Sequence, residues 1–406
     1  MPASPPSRAV RWSAFFAVIL ALALGFASSS MPTPLYPLYQ LAWSLPPSAL
    51  SYIYAGYMFG VLGALLFCGR LADSIGRFRV LLAALCLLLL GLGISALVSS
   101  VLPMVFARMI VGFANGLLTT IAGATMLAAH PRGDRRVAAV ATSTAMASGF
   151  GLGPLIGGSI AELMPQPLRL PYLAMGMIAL VDLALLLYAR RVLDDRTVNT
   201  QRAAFKLRPK LTLPHEPGPR RLFLLMSSCI FMMFAIVGLM ASLLPSLIHQ
   251  LGLGSGPSVV GIAFSLLALA SVCAQFGMRR LRATHGLLIG LAALLASMAA
   301  LVACLFYHSP SAFFASMLLA GIGQGLSLME TNLIASHCAE EHHRTTTMAS
   351  YFTIAYLGGV APVVAIGLLA DYLGLEHAVQ LFCLLCALVI VFLALRISRS
   401  KRAREI

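Results

Sequence analysis

The sequence has few charged residues, and this scarcity limits the kinds of protein it can encode. Only 10% of its 406 residues are Asp, Glu, Lys or Arg, and 60% are hydrophobic. Ordinary soluble domains carry about 25% charged residues. No soluble core buries so much apolar surface, so we expect a lipid bilayer to solvate most of the chain. A G-x-x-x-x-G-K-[ST] loop is also missing, and no polar stretch is long enough for an ATPase domain, which argues against a nucleotide-hydrolysing enzyme.

About twelve apolar segments follow one another, each long enough to cross a bilayer. Lipid offers no partner for backbone polar groups, so each is expected to be helical, which predicts an all-α membrane protein. The first segment could pass for a signal peptide, but its length and the early start of the next one favour a retained helix. The predicted spans are 12–31, 48–68, 79–99, 103–128, 138–162, 171–189, 222–247, 257–277, 286–306, 311–335, 346–370 and 377–396.

Acidic residues are scarce, and the net charge of +15 comes from 28 Lys and Arg against 13 Asp and Glu. The basic residues cluster in alternate loops, at 70–79, 132–136, 190–221, 279–282 and 396–404. Cytoplasmic loops carry such an excess, so we predict that both termini are cytoplasmic, in a bacterial-type inner membrane. A nucleic-acid partner is not expected, because the charge flanks membrane spans and belongs to no soluble module.

The cysteines and histidines give no sign of metal or redox chemistry. Cys383 and Cys386 form a C-x-x-C inside the last predicted span, without acidic or histidine neighbours. His337, His342 and His343 follow no recognisable ligand spacing and fit a solvated loop. We therefore predict no metal site and no cofactor.

A weak internal repeat divides the chain. The basic segment 191–221 separates six spans in residues 1–190 from six in residues 222–406. One shift of 209 residues relates Gly112 to Gly321, Gly116 to Gly325, Thr144 to Thr353, Gly149 to Gly358, Gly158 to Gly367 and Glu162 to Asp371. Six spans return the chain to the same side, so the halves are expected to be parallel pseudo-symmetric repeats with a substrate site between them.

The loop after the second span, GRLADSIGRFRVL, resembles the signature loop of the major facilitator superfamily. The matching residues are Gly69, Leu71, Asp73, Gly76, Arg77 and Arg79. Ser74 departs from the pattern, where a basic residue is usual, and the corresponding loop of the second half has no acidic residue. The resemblance implies a twelve-helix transporter whose loop latches a cytoplasmic gate, with a short basic loop as the plainer alternative.

The fourth span contains Arg108 in FARMIVGFANG, and a charge inside a membrane is by default a functional hypothesis. The pattern R-x-x-x-G-x-x-x-G resembles the fourth-helix motif of proton-coupled drug exporters, although Val111 replaces the usual Gln. That resemblance implies a role for Arg108 in coupling protonation to transport. The alternative is a structural pair or a side chain that reaches towards the membrane surface.

The fifth span contains GFGLGPLIGG, which resembles the G-x-x-x-G-P-x-x-G-G motif of the drug:proton antiporters. Gly149, Gly153, Pro154, Gly157 and Gly158 match. Small residues let helices approach closely in lipid, and an internal proline bends a helix. We expect a bent, smooth face that seals against the other half and slides during transport; ordinary static packing is the alternative.

Two carboxyl groups fall inside predicted spans, Glu330 in the tenth and Asp182 in the sixth. Embedded acidic residues mark proton relays or substrate contacts, so both are candidates for proton coupling. Glu162 and Asp371 fall at outer helix ends and are expected to be interfacial.

These features predict a monomeric, proton-coupled multidrug exporter of small lipophilic or amphipathic compounds, with a small-molecule substrate, protons and lipid as its partners. The alternative is an exporter of one endogenous metabolite, such as an amino acid derivative, a sugar or a metallophore. A membrane receptor is disfavoured, because the loops are too short for a signalling domain.

Overall fold

The structure, a computed structural model, describes residues 8–68, 71, 75–193, 211–252, 256–278, 280–340 and 344–400. These ranges contain helices and no strand, and twelve of the helices are long and apolar enough to cross a membrane. The α-helices are α1 Arg8–Ser30, α2 Tyr36–Trp43, α3 Pro47–Cys68, α4 Arg77–Leu97, α5 Val101–Ala129, α6 Arg135–Leu163, α7 Leu170–Tyr188, α8 Arg190–Leu193, α9 Pro217–Ser242, α10 Leu244–Gln250, α11 Pro257–Met278, α12 Ala283–Tyr307, α13 Pro310–Cys338, α14 Arg344–Leu373 and α15 Leu375–Arg399.

All the predicted spans are confirmed as helices, with shifted ends. The largest shift is in α9, which begins at Pro217 and ends at Ser242 instead of covering 222–247. Pro217 suits the first turn of a helix, where its missing N–H costs nothing. Pro245 lacks the N–H that would bond to Ala241, so the helix ends and the short α10 follows.

Contacts group the chain into two compact units. Unit 1 consists of Met1–Pro32 and Gly56–Pro209, and unit 2 of Thr33–Ala55 and Lys210–Ile406. The segment 33–55, which lies in the N-terminal half by sequence, therefore makes most of its contacts with unit 2. One such contact is a hydrogen bond of 3.1 Å from the Ser48 backbone N–H to the Asp371 carboxylate.

The two units use the same helix pairings. In unit 1, α1 packs on α5, α6 and α7, and α4 packs on α5 and α7. In unit 2, α9 packs on α13, α14 and α15, and α12 packs on α13 and α15. These helices occupy equivalent places in the sequence repeat, so each unit by itself has the same internal arrangement of helices.

The repeated glycines mark equivalent close approaches. A Cβ on Gly112 of α5 would collide with the Tyr57 carbonyl oxygen of α3, and one on Gly321 of α13 would collide with the Leu267 carbonyl oxygen of α11. Each pair brings two backbones together where no side chain fits. The internal repeat is therefore a repeat of packing as well as of sequence.

Candidate functional site

The buried charge of α5 is Arg108, which is 1% exposed. Its guanidinium donates from Nη1 to the Ser28 carbonyl oxygen at 3.0 Å and from Nη2 to the Ser29 carbonyl oxygen at 2.6 Å. The guanidinium carbon also lies 4.9 Å from the centre of the Tyr57 ring. Among the described residues, carbonyl oxygens and an aromatic face hold this cation, and no carboxylate does.

The end of α1 explains why Arg108 finds these acceptors. The last carbonyls of a helix lack intrahelical partners and form the negative end of its dipole. Pro32 has no N–H and so cannot donate to the Ser28 carbonyl, four residues earlier. The sequence SSSMP therefore ends α1 at Ser30 and leaves acceptors that Arg108 uses.

Two residues that the sequence analysis did not identify complete the polar cluster around Arg108. Tyr57 of α3 accepts a hydrogen bond of 2.7 Å at its hydroxyl from Asn115 Nδ2. Asn115 follows Arg108 by about two turns of α5, so the two residues lie on the same face of the helix. This spacing could have identified Asn115 from the sequence. Arg108 Nε, Asn115 Oδ1 and Ser28 Oγ have no hydrogen-bond partner among the described residues. Buried polar groups without hydrogen-bond partners are energetically costly. Their presence here therefore marks this cluster as a candidate functional site.

The glycines of the fifth-span motif lie on α6 and face α1 of the same unit. A Cβ on each would meet the backbone oxygen of a residue in α1 or directly after it, and these residues also recur every four positions. The pairs are Gly149 with Ala23, Gly153 with Ala27, and Gly157 with Met31. We expected this face to seal against the other half, so that interpretation was wrong about the partner. Gly158 is also buried.

The proline of the same motif is accommodated by a serine of α1. Pro154 cannot donate to the Phe150 carbonyl oxygen, four residues earlier. The Ser30 hydroxyl donates to that oxygen at 3.0 Å. Helix α6 continues through Pro154 to Leu163, since the freed acceptor has a new donor. The end of α1 thus contacts both the Arg108 helix and the glycine-rich helix.

Glu330 is buried in unit 2, 3% exposed, on α13. Its carboxylate points at Gly286 of α12, because a Cβ on Gly286 would lie 2.5 Å from Oε1. The next residue, Thr331, shares a hydrogen bond of 2.7 Å with the Tyr351 hydroxyl of α14. Glu330 thus lies between two helices of its own unit.

Asp182 is fully buried on α7, on the stripe that also buries Met175, Ala179 and Leu186. Neither carboxyl oxygen has a hydrogen-bond partner among the described residues. Arg108 donates to α1 instead, so these two residues of unit 1 are not paired. Arg108 and Asp182 therefore occupy separate places within unit 1.

The gate-motif loop is described only in part. Gly69 and Asp73 lie outside the described residues. Gly76 has a φ of 93°, a left-handed conformation that favours glycine, and it directly precedes Arg77 and Arg79 in the first turn of α4. His342 and His343 also lie outside the described ranges; within those ranges no group of three metal-ligating side chains could hold an ion.

The sequence matches the family described as Major Facilitator Superfamily over residues 18–362 and 253–406. The chain therefore belongs to the Major Facilitator Superfamily, and it is a multi-pass membrane protein. Membership of this family indicates a transporter rather than an enzyme.

Curated relatives match mainly over part of their length. The Cephamycin export protein CmcT of Amycolatopsis lactamdurans is 31% identical over 36% of this chain and 31% of its own. The uncharacterized MFS-type transporter EfpA of Mycobacterium tuberculosis is 28% identical over 36% of this chain and 29% of its own. The chain thus matches about a third of the length of these two relatives. The uncharacterized MFS-type transporter MJ1560 of Methanocaldococcus jannaschii is 23% identical over 74% of this chain and 77% of its own.

Solved transporters share the fold at low identity. A bacterial homologue of the human lysosomal transporter Spinster has a TM-score of 0.73 and 15% identity, covering 98% of this chain and 99% of its own. The peptide transporter POT bound to alafosfalin has a TM-score of 0.76 and 14% identity, covering 99% and 100%. At this identity the likeness concerns the fold alone.

Proposed function

We propose that this protein is a proton-coupled exporter of small lipophilic or amphipathic compounds, in which two six-helix halves alternate access to a central site. The observation that carries the proposal is the burial of Arg108 without a carboxylate partner among the described residues. A membrane-embedded cation is expensive and is retained for function. The fourth- and fifth-helix motifs, which resemble those of drug:proton antiporters, favour protons as the coupling ion.

The polar cluster of Arg108, Tyr57 and Asn115 supports this role through the atoms it leaves unsatisfied. A guanidinium held by carbonyl dipoles has no fixed countercharge, so its electrostatic field reaches acidic groups and substrate nearby. Asp182 and Glu330 are the proposed proton carriers, since each is a buried carboxyl inside a spanning helix. Asp182 is the stronger candidate, because neither of its oxygens has a structural partner among the described residues.

The proposed setting is a bacterial inner membrane, with both termini in the cytoplasm and the protein acting as a monomer. Successive spanning helices alternate in direction, and most described arginines at helix ends lie at the predicted inner ends, among them Arg77, Arg132 and Arg282, whereas Arg169 lies at an outer end. The positive-inside rule then assigns those ends to the cytoplasm. The loop around Asp73 is the proposed cytoplasmic gate.

A narrow exporter of one metabolite is the second candidate. The relative CmcT is named for the export of cephamycin, a single class of compound. Its name supports export as the direction of transport, and it also favours a dedicated substrate over a broad range.

Inside-out vesicles containing the protein provide the test. An inside-acid pH gradient is imposed, and lipophilic cations, neutral drugs and amphipathic metabolites are added one at a time. We expect several compounds to dissipate the gradient, and Arg108→Gln to abolish the response while it still inserts and folds. A response to one compound only would favour the metabolite exporter. A gradient that no compound dissipates, with folded protein present, would refute proton-coupled export.

A further inference from the structure

The helix α6 differs from the other spanning helices in both composition and burial. Of the twelve spanning helices, it is the least apolar and has the smallest buried share. The exposed part of its first half carries Arg136, Ser143 and Thr144 beside the aliphatic Val137 and Val140. A face in contact with lipid is expected to be apolar, so this face is suited to water or to a polar ligand.

An open surface cavity of about 430 Å³ lies on this face of unit 1. We call it the α6 cavity; Ile19, Arg136, Val140, Ala141, Thr144 and Ser148 line it. Its volume falls in the range of sites for small molecules, roughly 300–1,000 Å³. The walls are largely aliphatic, with hydroxyl groups along one side and a single charged side chain at the end where α6 begins.

The charged side chain is available to a ligand. Within the described part of the chain, the Arg136 guanidinium forms no hydrogen bond and no ion pair. The neighbouring Asp134 carboxylate accepts hydrogen bonds from the backbone N–H groups of Arg136 and Val137 and so caps α6. It also attracts the Arg136 guanidinium electrostatically, without a direct ion-pair contact. The Thr144 hydroxyl also bonds to no described residue, whereas its repeat counterpart Thr353 bonds to its own helix.

The equivalent face in unit 2 is covered by the chain itself. Under the repeat shift, Val137 and Ala141 correspond to Thr346 and Ser350 of α14. Thr212, from the segment before α9, donates to the Thr346 hydroxyl at 2.8 Å, and Ser350 donates to the Thr212 carbonyl at 2.8 Å. Among the described residues, the chain thus covers this position in unit 2, and none covers the corresponding position in unit 1.

We propose that the α6 cavity binds a small amphipathic organic anion, whose acidic group pairs with Arg136 and whose apolar part lies against Ile19, Val140 and Ala141. Thr144 and Ser148 supply hydroxyl groups along the apolar part. Arginine suits the acidic group, because its planar fork matches a carboxylate or sulfonate in two parallel hydrogen bonds. The proposal rests on the export function proposed above, for which it names the substrate class.

Two fluorescent dyes with the same aromatic body test the assigned charge. One is 8-anilinonaphthalene-1-sulfonate, an anion, and the other is N-phenyl-1-naphthylamine, which lacks the sulfonate. Both are titrated into the full-length protein in phosphatidylcholine nanodiscs, with empty nanodiscs subtracted and no pH gradient. We expect saturable binding of the anion, weakened about tenfold by Arg136→Gln, which is the size of one charge-assisted hydrogen bond.

Matched variants separate the site from general charge effects. Arg135→Gln removes the same charge one residue away, outside the cavity lining, and is expected to change the affinity of the anion less than about twofold. Arg136→Lys should retain part of the affinity, and Arg136→Gln should leave the neutral dye unchanged. Val140→Trp should fill the cavity and weaken binding of both dyes.

Three results would overturn the proposal: no saturable binding of the anion to the wild type, equal losses in Arg135→Gln and Arg136→Gln, or equal losses of both dyes in Arg136→Gln. Because no proton gradient is involved, the outcome is independent of the vesicle test. Saturable binding of the anion without proton-driven export would refute the proposed proton coupling and support the α6 cavity as a binding site. Proton-driven export without this binding would support the coupling and refute the binding site.

Discussion

Arg108 donates a hydrogen bond of 3.0 Å to the carbonyl oxygen of Ser28, an oxygen that Pro32 deprives of its helical donor. A buried cation is thereby held by the end of a helix, without a carboxylate among the described residues. A salt bridge would fix the countercharge beside Arg108. A carbonyl dipole leaves the positive charge uncancelled, which suits a residue proposed to respond to protonation nearby.

The first prediction concerns this contact. Arg108→Lys replaces a fork that reaches two carbonyls by one compact ammonium group, which lacks its planar contact with the Tyr57 ring. Pro32→Ala restores an N–H that competes for the Ser28 carbonyl. We expect each change to reduce proton-driven export about tenfold, measured in inside-out vesicles. Pro34→Ala, which restores a backbone N–H at a different position, should leave the export rate unchanged. Equal loss of export in all three variants would contradict the role assigned to the hydrogen bond between Arg108 and the Ser28 carbonyl.

The second prediction concerns the glycine face of α6. A Cβ at Gly153 would collide with the Ala27 carbonyl and approach Ser30 Oγ, so Gly153→Ala should lower the free energy of unfolding by about 1–3 kcal/mol. Gly153→Leu should abolish export. The control is Gly176→Ala in α7, where a Cβ would meet no atom within 4 Å. Detergent unfolding compares the variants, and an unaffected Gly153→Leu would refute the tight α1–α6 contact.

The third prediction tests whether the position of Glu330 matters. Gly286→Ala leaves the carboxyl in the chain but places a methyl group at its Oε1. It should reduce export as strongly as Glu330→Gln does, since both remove the carboxylate from its place between α12 and α13. Gly277→Ala, with no atom within 4 Å of the new Cβ, serves as the control. Normal export in Gly286→Ala would show that this position is not needed.

The fourth prediction separates stability from function at Asp182. A buried polar group without partners is destabilising, so Asp182→Leu should raise the free energy of unfolding by about 1–3 kcal/mol. The same change should abolish export driven by a pH gradient, because no group remains there to bind a proton. Thermal unfolding and vesicle transport measure the two effects on one preparation. Greater stability with undiminished export would make Asp182 dispensable for coupling.

The fifth prediction concerns the helix cap at Asp134. Backbone N–H groups of Val137 and Arg136 hold the pKa of this carboxyl below its usual 3.8. A lowered folded-state pKa stabilises the protein above the unfolded value and ceases to do so as pH falls through the folded value. Asp134→Ala should therefore be less stable than the wild type near neutral pH, and the difference should vanish well below pH 3.8. A difference in thermal midpoint that persists in acid would contradict the cap.

The sequence by itself determined the class of the protein. Apolar runs of bilayer length can only form helices in lipid, so twelve spans and the repeat could be predicted, with ends uncertain by about a turn. The special residues were also recognisable. Arg108, the α6 glycines and Pro154 conflict with local preferences, because a charge is costly in lipid and these residues are poor helix formers.

Only the tertiary structure decided what those residues contact. Arg108 and Ser28 are 80 positions apart, and nothing local indicates that a proline-freed carbonyl of α1 would receive its guanidinium. The glycines of α6 allow a close approach to any helix. The sequence therefore could not predict that α1 of the same unit packs against them. Pairing depends on which surfaces fit in three dimensions, whereas helix formation in lipid depends only on satisfying the backbone.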